Sequence, residues 1–161
     1  MRILLYSVAI GAAATMLIDL WAVIRAALFD IPRTNYGLVG RWLIGVTRGR
    51  LRLDTADPAP PSASETAVGW GAHYAIGAAF AMVLLALSPA WLDQPTLAPA
   101  MIVAVGTLAA PFFLMQPGMG AGIAASRTRN PWSARLQSLI THVIFGIGLY
   151  GAGSIASLLQ V

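Results

Sequence analysis

The chain has 161 residues, 58% of them hydrophobic and 10% charged, with a formal net charge of +4. Soluble domains carry about 25% charged residues, so this deficit points to lipid as the solvent and argues against a water-soluble bundle. There is no cysteine, which excludes disulfides, thiolate metal sites and cysteine nucleophiles, and the ten cationic side chains are all arginines flanking apolar segments, a placement that speaks for membrane topology and against nucleic-acid binding.

Four segments, 3–29, 67–87, 97–116 and 134–159, each reach the length of ~20 residues needed to cross a bilayer core. Backbone groups in lipid must satisfy one another, so each segment is expected to be helical. The expected fold class is all-α: a single polytopic domain over residues 1–161. It is a bundle of four transmembrane helices with a short interfacial amphipathic helix between the first two.

The first segment opens with Arg2 and has alanines at 12–14, as a signal peptide would. Its apolar run outlasts a ~7–15-residue signal core and continues past Asp19 to Phe29, so it reads as a retained helix. Gly11, Thr15 and Asp19 share one helical face, which should turn Asp19 toward other helices. Arg25 stands six residues on, a poor helical pairing distance from Asp19, and is read as snorkelling to the headgroups.

Residues 30–66 form the longest polar connection. Within it Leu38, Val39, Trp42, Leu43 and Val46 recur at helical spacing beside Arg41 and Arg48. That pattern predicts a short helix along the membrane surface, Trp42 at headgroup depth and arginines toward anionic lipid. Gly37, Gly40 and Gly45 oppose it at about 1 kcal/mol each. Arg48, Arg50 and Arg52 make a solvated or lipid-facing charge run. Residues 57–61 read as linker, and Ser62 with Glu65 as a capping box opening the second helix.

The second helix carries Gly69, His73, Gly77 and Ala81 at four-residue spacing. Trp91, in the turn over 88–95, is expected to anchor at the interface. Pro99 suits the first turn of the third helix, and Pro111 should kink it. Pro117 either repeats the kink or ends the helix; in the longer reading the helix runs to about residue 125, because no charge separates Asp93 from Arg127. Asn130 and Pro131 fit a cap and first residue for the fourth helix. Along it Ser138, His142, Gly146 and Tyr150 form a third stripe. No internal repeat of the inverted-transporter kind is evident.

The segments NYGLVGRW (35–42), AHY (72–74) and PFFLMQPGMGAGIAASRT (111–128), with Arg135, Ser138, His142 and Gly146–Tyr150, carry a resemblance covering nearly the whole chain. The chain resembles a family of small bacterial integral membrane proteins of unknown function. The resemblance implies a four-helix protein of the inner membrane. It carries over no activity and no catalytic residue.

Gly118–Gly122 is glycine-rich, but no strand precedes it and no lysine exists to complete a nucleotide loop. Close packing or a re-entrant turn suits it better. Arg127, Arg129 and Arg135 cluster beside those glycines, with Arg41 elsewhere in the same class. They read either as topology-setting charge or as contacts to a lipid headgroup or other anion, which arginine binds bidentately.

Asp19, His73 and His142 are ionisable groups placed inside apolar helices, with Met115 and Gln116 as soft or polar neighbours. A carboxylate and two imidazoles suit a divalent metal such as Zn, Fe, Mn or Ni. They also suit a proton relay; two histidines alone suit axial haem ligation. The plainest alternative is a hydrogen bond from each to a neighbouring helix. At ~1.5 Å per residue, Asp19, His73 and His142 lie about 15, 9 and 12 Å in from the arginine-bearing ends of their helices, so a shared site is expected. Ser138, His142 and Asp19 spell a hydrolase triad, but no nucleophile elbow accompanies them.

Two functional classes follow. The first is a small transport or cation- or proton-handling protein with a buried Asp/His site. The second is a non-catalytic lipid-binding protein or accessory subunit, acting as a homo-oligomer or within a larger membrane complex. No catalytic residue is assigned in either. Arginine asymmetry puts both long connections in the cytoplasm and both termini on the periplasmic side.

Overall fold

The computed structural model describes residues 2–53 and 59–159; the 57–58 part of the expected linker lies outside them. Every regular element among the described residues is helical. We label them α1 (Arg2–Phe29), α2 (Tyr36–Thr47), α3 (Ala63–Leu87), α4 (Leu97–Gly118) and α5 (Pro131–Leu158). A short 3-10 turn, Pro89–Leu92, links α3 to α4.

Helix ends follow from local chemistry. The Ser62 backbone N–H donates to Glu65 Oε2 at 2.7 Å, and the Glu65 N–H donates back to Ser62 Oγ at 3.2 Å. This reciprocal box satisfies donors that a helix start leaves orphaned, so α3 begins at Ala63, four residues before the apolar run. Asn130 Oδ1 accepts from the Ser133 N–H at 3.2 Å and Pro131 opens α5, as the sequence predicts.

Helix α4 is regular only as far as Gly106. Pro111 has no N–H to give to the preceding turn. The chain answers with a wide turn over Pro111–Met115, in which the Gln116 N–H reaches back five residues to the Pro111 carbonyl. The helix then resumes to Gly118. The expected kink is therefore a π-type bulge, a device that re-aims side chains within a helix.

Four helices, Arg2–Phe29, Ala63–Leu87, Leu97–Gly118 and Pro131–Leu158, are long and apolar enough to cross a membrane. Large apolar side chains on them stay uncovered: Ile102 is 72% exposed, Leu114 67% and Ile155 63%. In water each such side chain would forgo about 1.5–3 kcal/mol of burial. A bilayer removes that penalty, and the pattern is that of a multi-pass membrane protein.

The described chain divides into two compact units. The first takes residues 2–33, 74–107 and 139–159. Its core joins Ile10 and Ala14 of α1, Leu84 of α3, Val103 of α4, and Phe145 and Leu149 of α5. Small residues let the backbones approach closely. A Cβ on Gly11 would stand 2.5 Å from the Gly77 carbonyl, and one on Gly148 2.8 Å from Ala14 Cα. Trp91 departs from expectation. It is buried in this core with its ring on Gly153, and its Nε1–H donates to the Thr96 carbonyl at 2.8 Å, so it is not an interface anchor.

The second unit takes residues 34–53, 59–73 and 108–138. The helix expected over 38–46 is present as α2, capped by Asn35 Oδ1, which accepts from the Leu38 N–H at 3.3 Å. Its glycines have a purpose that propensity alone conceals. Gly40 lies against the Glu65 carbonyl and Gly69, and Gly69 against the Tyr36 carbonyl, so α2 and α3 cross backbone to backbone. Gly37 packs on Pro61. Trp42 lays its half-buried ring on Gly118 and donates from Nε1 to the Leu51 carbonyl at 3.0 Å.

Candidate functional site

Two ionisable residues of the spans, Asp19 and His73, are each hydrogen-bonded to a tyrosine. Asp19 on α1 accepts a hydrogen bond from the Tyr74 hydroxyl at 2.9 Å. His73, the residue before Tyr74 on α3, faces the Tyr36 hydroxyl through Nε2 at 3.0 Å. The Tyr36 ring lies 4.3 Å from the imidazole and 4.4 Å from the Trp70 ring, centroid to centroid. An aromatic wall thus encloses the His73–Tyr36 contact on the side of Trp70.

His142 is half-buried on α5, one turn before the close-packed Gly146, which meets Met101 and Ala104. Asp19 and His142 belong to the first unit and His73 to the second. Among the described residues no group of three or more His, Asp or Glu side chains is placed to hold a metal ion. Gln116 donates from Nε2 to Ser138 Oγ at 3.3 Å, while Ser138 donates to the Ala134 carbonyl of its own helix at 3.0 Å. Ser138 thus bonds both to α4 and to its own helix. Met115 sits half-buried in the wide turn of α4.

The arginines sort by what they touch. Arg41 holds Glu65 in a two-pronged ion pair, Nε to Oε1 at 2.9 Å and Nη2 to Oε2 at 3.1 Å. It also donates to the carbonyls of Ala59 and Pro60, both at 3.0 Å. Its planar fork ties α2, the segment before α3, and the first turn of α3 together. Arg135 donates from Nε to the Ala124 carbonyl at 2.8 Å and so pins the loop after α4 to α5. These two act within the fold. Arg129 is exposed at the far end of that loop.

Arg127 differs, and so does Arg52, which the sequence places in a solvated or lipid-facing charge run. Together they line an open cavity of about 300 Å³ with Ser126, Ile123 and the glycine loop. Neither guanidinium has a hydrogen-bond or ion-pair partner among the described residues. The loop has an unusual backbone: φ is positive at Gly120 (84°), Gly122 (76°), Ala124 (46°) and Ala125 (59°). Left-handed alanines are strained, and such strain persists only where surrounding contacts hold it. Here they do. The Arg127 N–H donates to the Ala121 carbonyl at 2.8 Å, the Ala121 N–H to the Gln116 carbonyl at 2.8 Å, and Arg135 grips Ala124. On the other wall the Leu53 N–H donates to the Gly118 carbonyl at 2.8 Å, which brings Arg52 to the loop. Gly122 is required by more than its φ, since a Cβ there would stand 2.9 Å from Arg127 Cγ.

Comparison with curated proteins and with solved structures gives no significant match. Comparison with protein families does. The family described as "Protein of unknown function (DUF2938)" matches over residues 8–156, which reaches all four membrane-capable helices and takes in both tyrosine-bonded pairs and the arginine-lined cavity. The chain therefore belongs to the DUF2938 family of proteins of unknown function.

Proposed function

We propose that this is a non-catalytic membrane protein that binds anionic lipid, set in the bacterial inner membrane with its arginine-bearing connections on the cytoplasmic side. The observation that carries this reading is the division of labour among the arginines. Arg41 and Arg135 are engaged by the fold, whereas Arg52 and Arg127 face an open cavity. Nearby, Phe113 and Leu114 are 61% and 67% exposed, an apolar flank of the kind that meets acyl chains. A role as an accessory subunit of a larger membrane complex belongs to the same class. The test is native mass spectrometry of protein extracted from its membrane. Retention of anionic over zwitterionic phospholipid supports the reading, and equal retention of both refutes it.

A second reading, proton handling, is favoured by the Tyr36–His73 and Tyr74–Asp19 hydrogen bonds, which place titratable groups next to hydroxyls inside apolar helices. Reconstituted vesicles loaded with a pH-sensitive dye test it. A proton flux that disappears in His73→Gln and Asp19→Asn favours this reading over lipid binding alone. No flux above that of empty vesicles removes it.

A further inference from the structure

We propose that the cavity between Arg52 and Arg127 is a binding site for a phosphate ester group, a deepening that rests on the lipid-binding reading above. The chemistry is that of paired guanidinium forks. Each presents planar N–H donors that match two oxygens of a phosphate, and Ser126 adds a hydroxyl to the same wall. None of the described residues that line the cavity is a carboxylate. Its volume, about 300 Å³, lies at the small end for ligand pockets and fits a headgroup better than a whole cofactor.

The walls are built to hold this geometry. Arg52 is carried by the irregular run after α2, which is fastened by the Leu53–Gly118 and Trp42–Leu51 hydrogen bonds. Arg127 emerges from the strained glycine loop that Arg135 clamps. Strain held in place beside an open cationic cavity is the signature of a preorganised site. Ile123, 59% exposed, lines the same cavity and supplies an apolar edge. A cationic end meeting an apolar edge is what an amphiphile with a phosphate head requires. A free phosphate would use the same guanidinium groups, so the two sources are separated by experiment.

The purified protein is delipidated in detergent and offered two kinds of probe: nanodiscs or mixed micelles containing phosphatidylglycerol or phosphatidylcholine, and inorganic phosphate or glycerol 3-phosphate followed by calorimetry. Arg52→Gln and Arg127→Gln should each weaken phosphatidylglycerol binding by about tenfold or more, the loss of one charge-assisted contact. Arg129→Gln, outside the cavity, should bind as the unaltered protein does. Arg52→Lys and Arg127→Lys, which keep charge but lose the fork, should be intermediate, and they serve where a glutamine variant does not fold. Binding of inorganic phosphate that depends on both arginines supports the site with a soluble ligand as its source. Binding of lipid alone supports a headgroup source. If anionic-lipid preference persists undiminished in the double variant Arg52→Gln/Arg127→Gln, the protein binds lipid but this cavity is not where. If Arg129→Gln loses as much as the cavity variants, the attraction is diffuse charge and the site is refuted. If neither lipid nor phosphate binds the unaltered protein, both the site and the lipid-binding reading fall.

Discussion

His73 and Tyr74 are adjacent on α3, yet each is bonded to a residue of a different helix. Successive helical residues point about 100° apart, at 3.6 per turn, so neighbours in sequence naturally serve different neighbours in space. The stripe argument found Asp19 and His73 because each falls four residues from a glycine or threonine. It did not find Tyr36 or Tyr74, because a partner hydroxyl leaves no periodic mark. The partners of Trp42 and Trp91 were hidden for a related reason: tryptophan near the end of an apolar segment reads as a lipid anchor, and the glycines on which these rings rest, Gly118 and Gly153, lie far along the chain. The residue-scale prediction is that Tyr74→Phe, which removes only the hydroxyl donated to Asp19, lowers stability by about 0.6–2 kcal/mol, the range for interhelical hydrogen bonds in membrane proteins. Tyr36→Phe should do likewise through His73. Thermal unfolding in detergent followed by tryptophan fluorescence checks both, and an unchanged Tm in both would mean that these hydroxyls contribute nothing to the fold.

At the scale of elements, the crossing of α2 and α3 is where sequence patterns gave the right helix for an incomplete reason. Apolar spacing predicts α2, but helix propensity counts its glycines against it. In the structure Gly40 and Gly69 are what let the two backbones touch. Ala at either position therefore has to push the helices apart, for a loss of about 1–3 kcal/mol, the usual cost of overpacking. Gly71→Ala is the internal control. It lies on the same helix with nothing within 4 Å of a new Cβ, so it should be neutral or add up to about 1 kcal/mol through helix propensity. Comparable losses at all three positions would show that the crossing is not the cause. The ion pair that closes this region makes a second prediction. Arg41→Ala and Glu65→Ala should each lower Tm, and the double variant should lose less than the sum of the two, because the ion pair is counted in both while the Ser62 cap belongs to Glu65 alone and the Ala59 and Pro60 carbonyls to Arg41 alone. Additive losses would show that each residue acts alone. The capping boxes were legible because they are local in sequence. The wide turn at Pro111 was legible only as a disturbance, since a proline announces the missing hydrogen bond and not the geometry that replaces it.

For the whole molecule, the orientation expected in the membrane follows from charge. If all four candidate helices cross, both termini lie on the same side of the membrane. The connection between α1 and α3 carries Arg33, Arg41, Arg48, Arg50 and Arg52; that between α4 and α5 carries Arg127 and Arg129, with Arg135 one turn into α5. In the expected arrangement the other side carries only Arg2, since the turn between α3 and α4 has no arginine or lysine. Cationic residues near span ends are retained in the cytoplasm during insertion, and the count is made before tertiary contacts form. Arg41 and Arg135 therefore count toward orientation although the folded protein engages both in internal bonds. The expected arrangement has both arginine-bearing connections in the cytoplasm and both termini outside. A phosphatase reporter that works only outside the cytoplasm should be active when fused after α5, and a reporter that fluoresces only in the cytoplasm should be dark there and bright when inserted at residues 54–58. The reverse pattern refutes the orientation. Neutralising Arg48, Arg50 and Arg52 together should produce a mixed population, because it removes three of the charges that hold the first connection inside. A population that stays uniform would assign the orientation to the remaining arginines, chiefly the pair at 127 and 129.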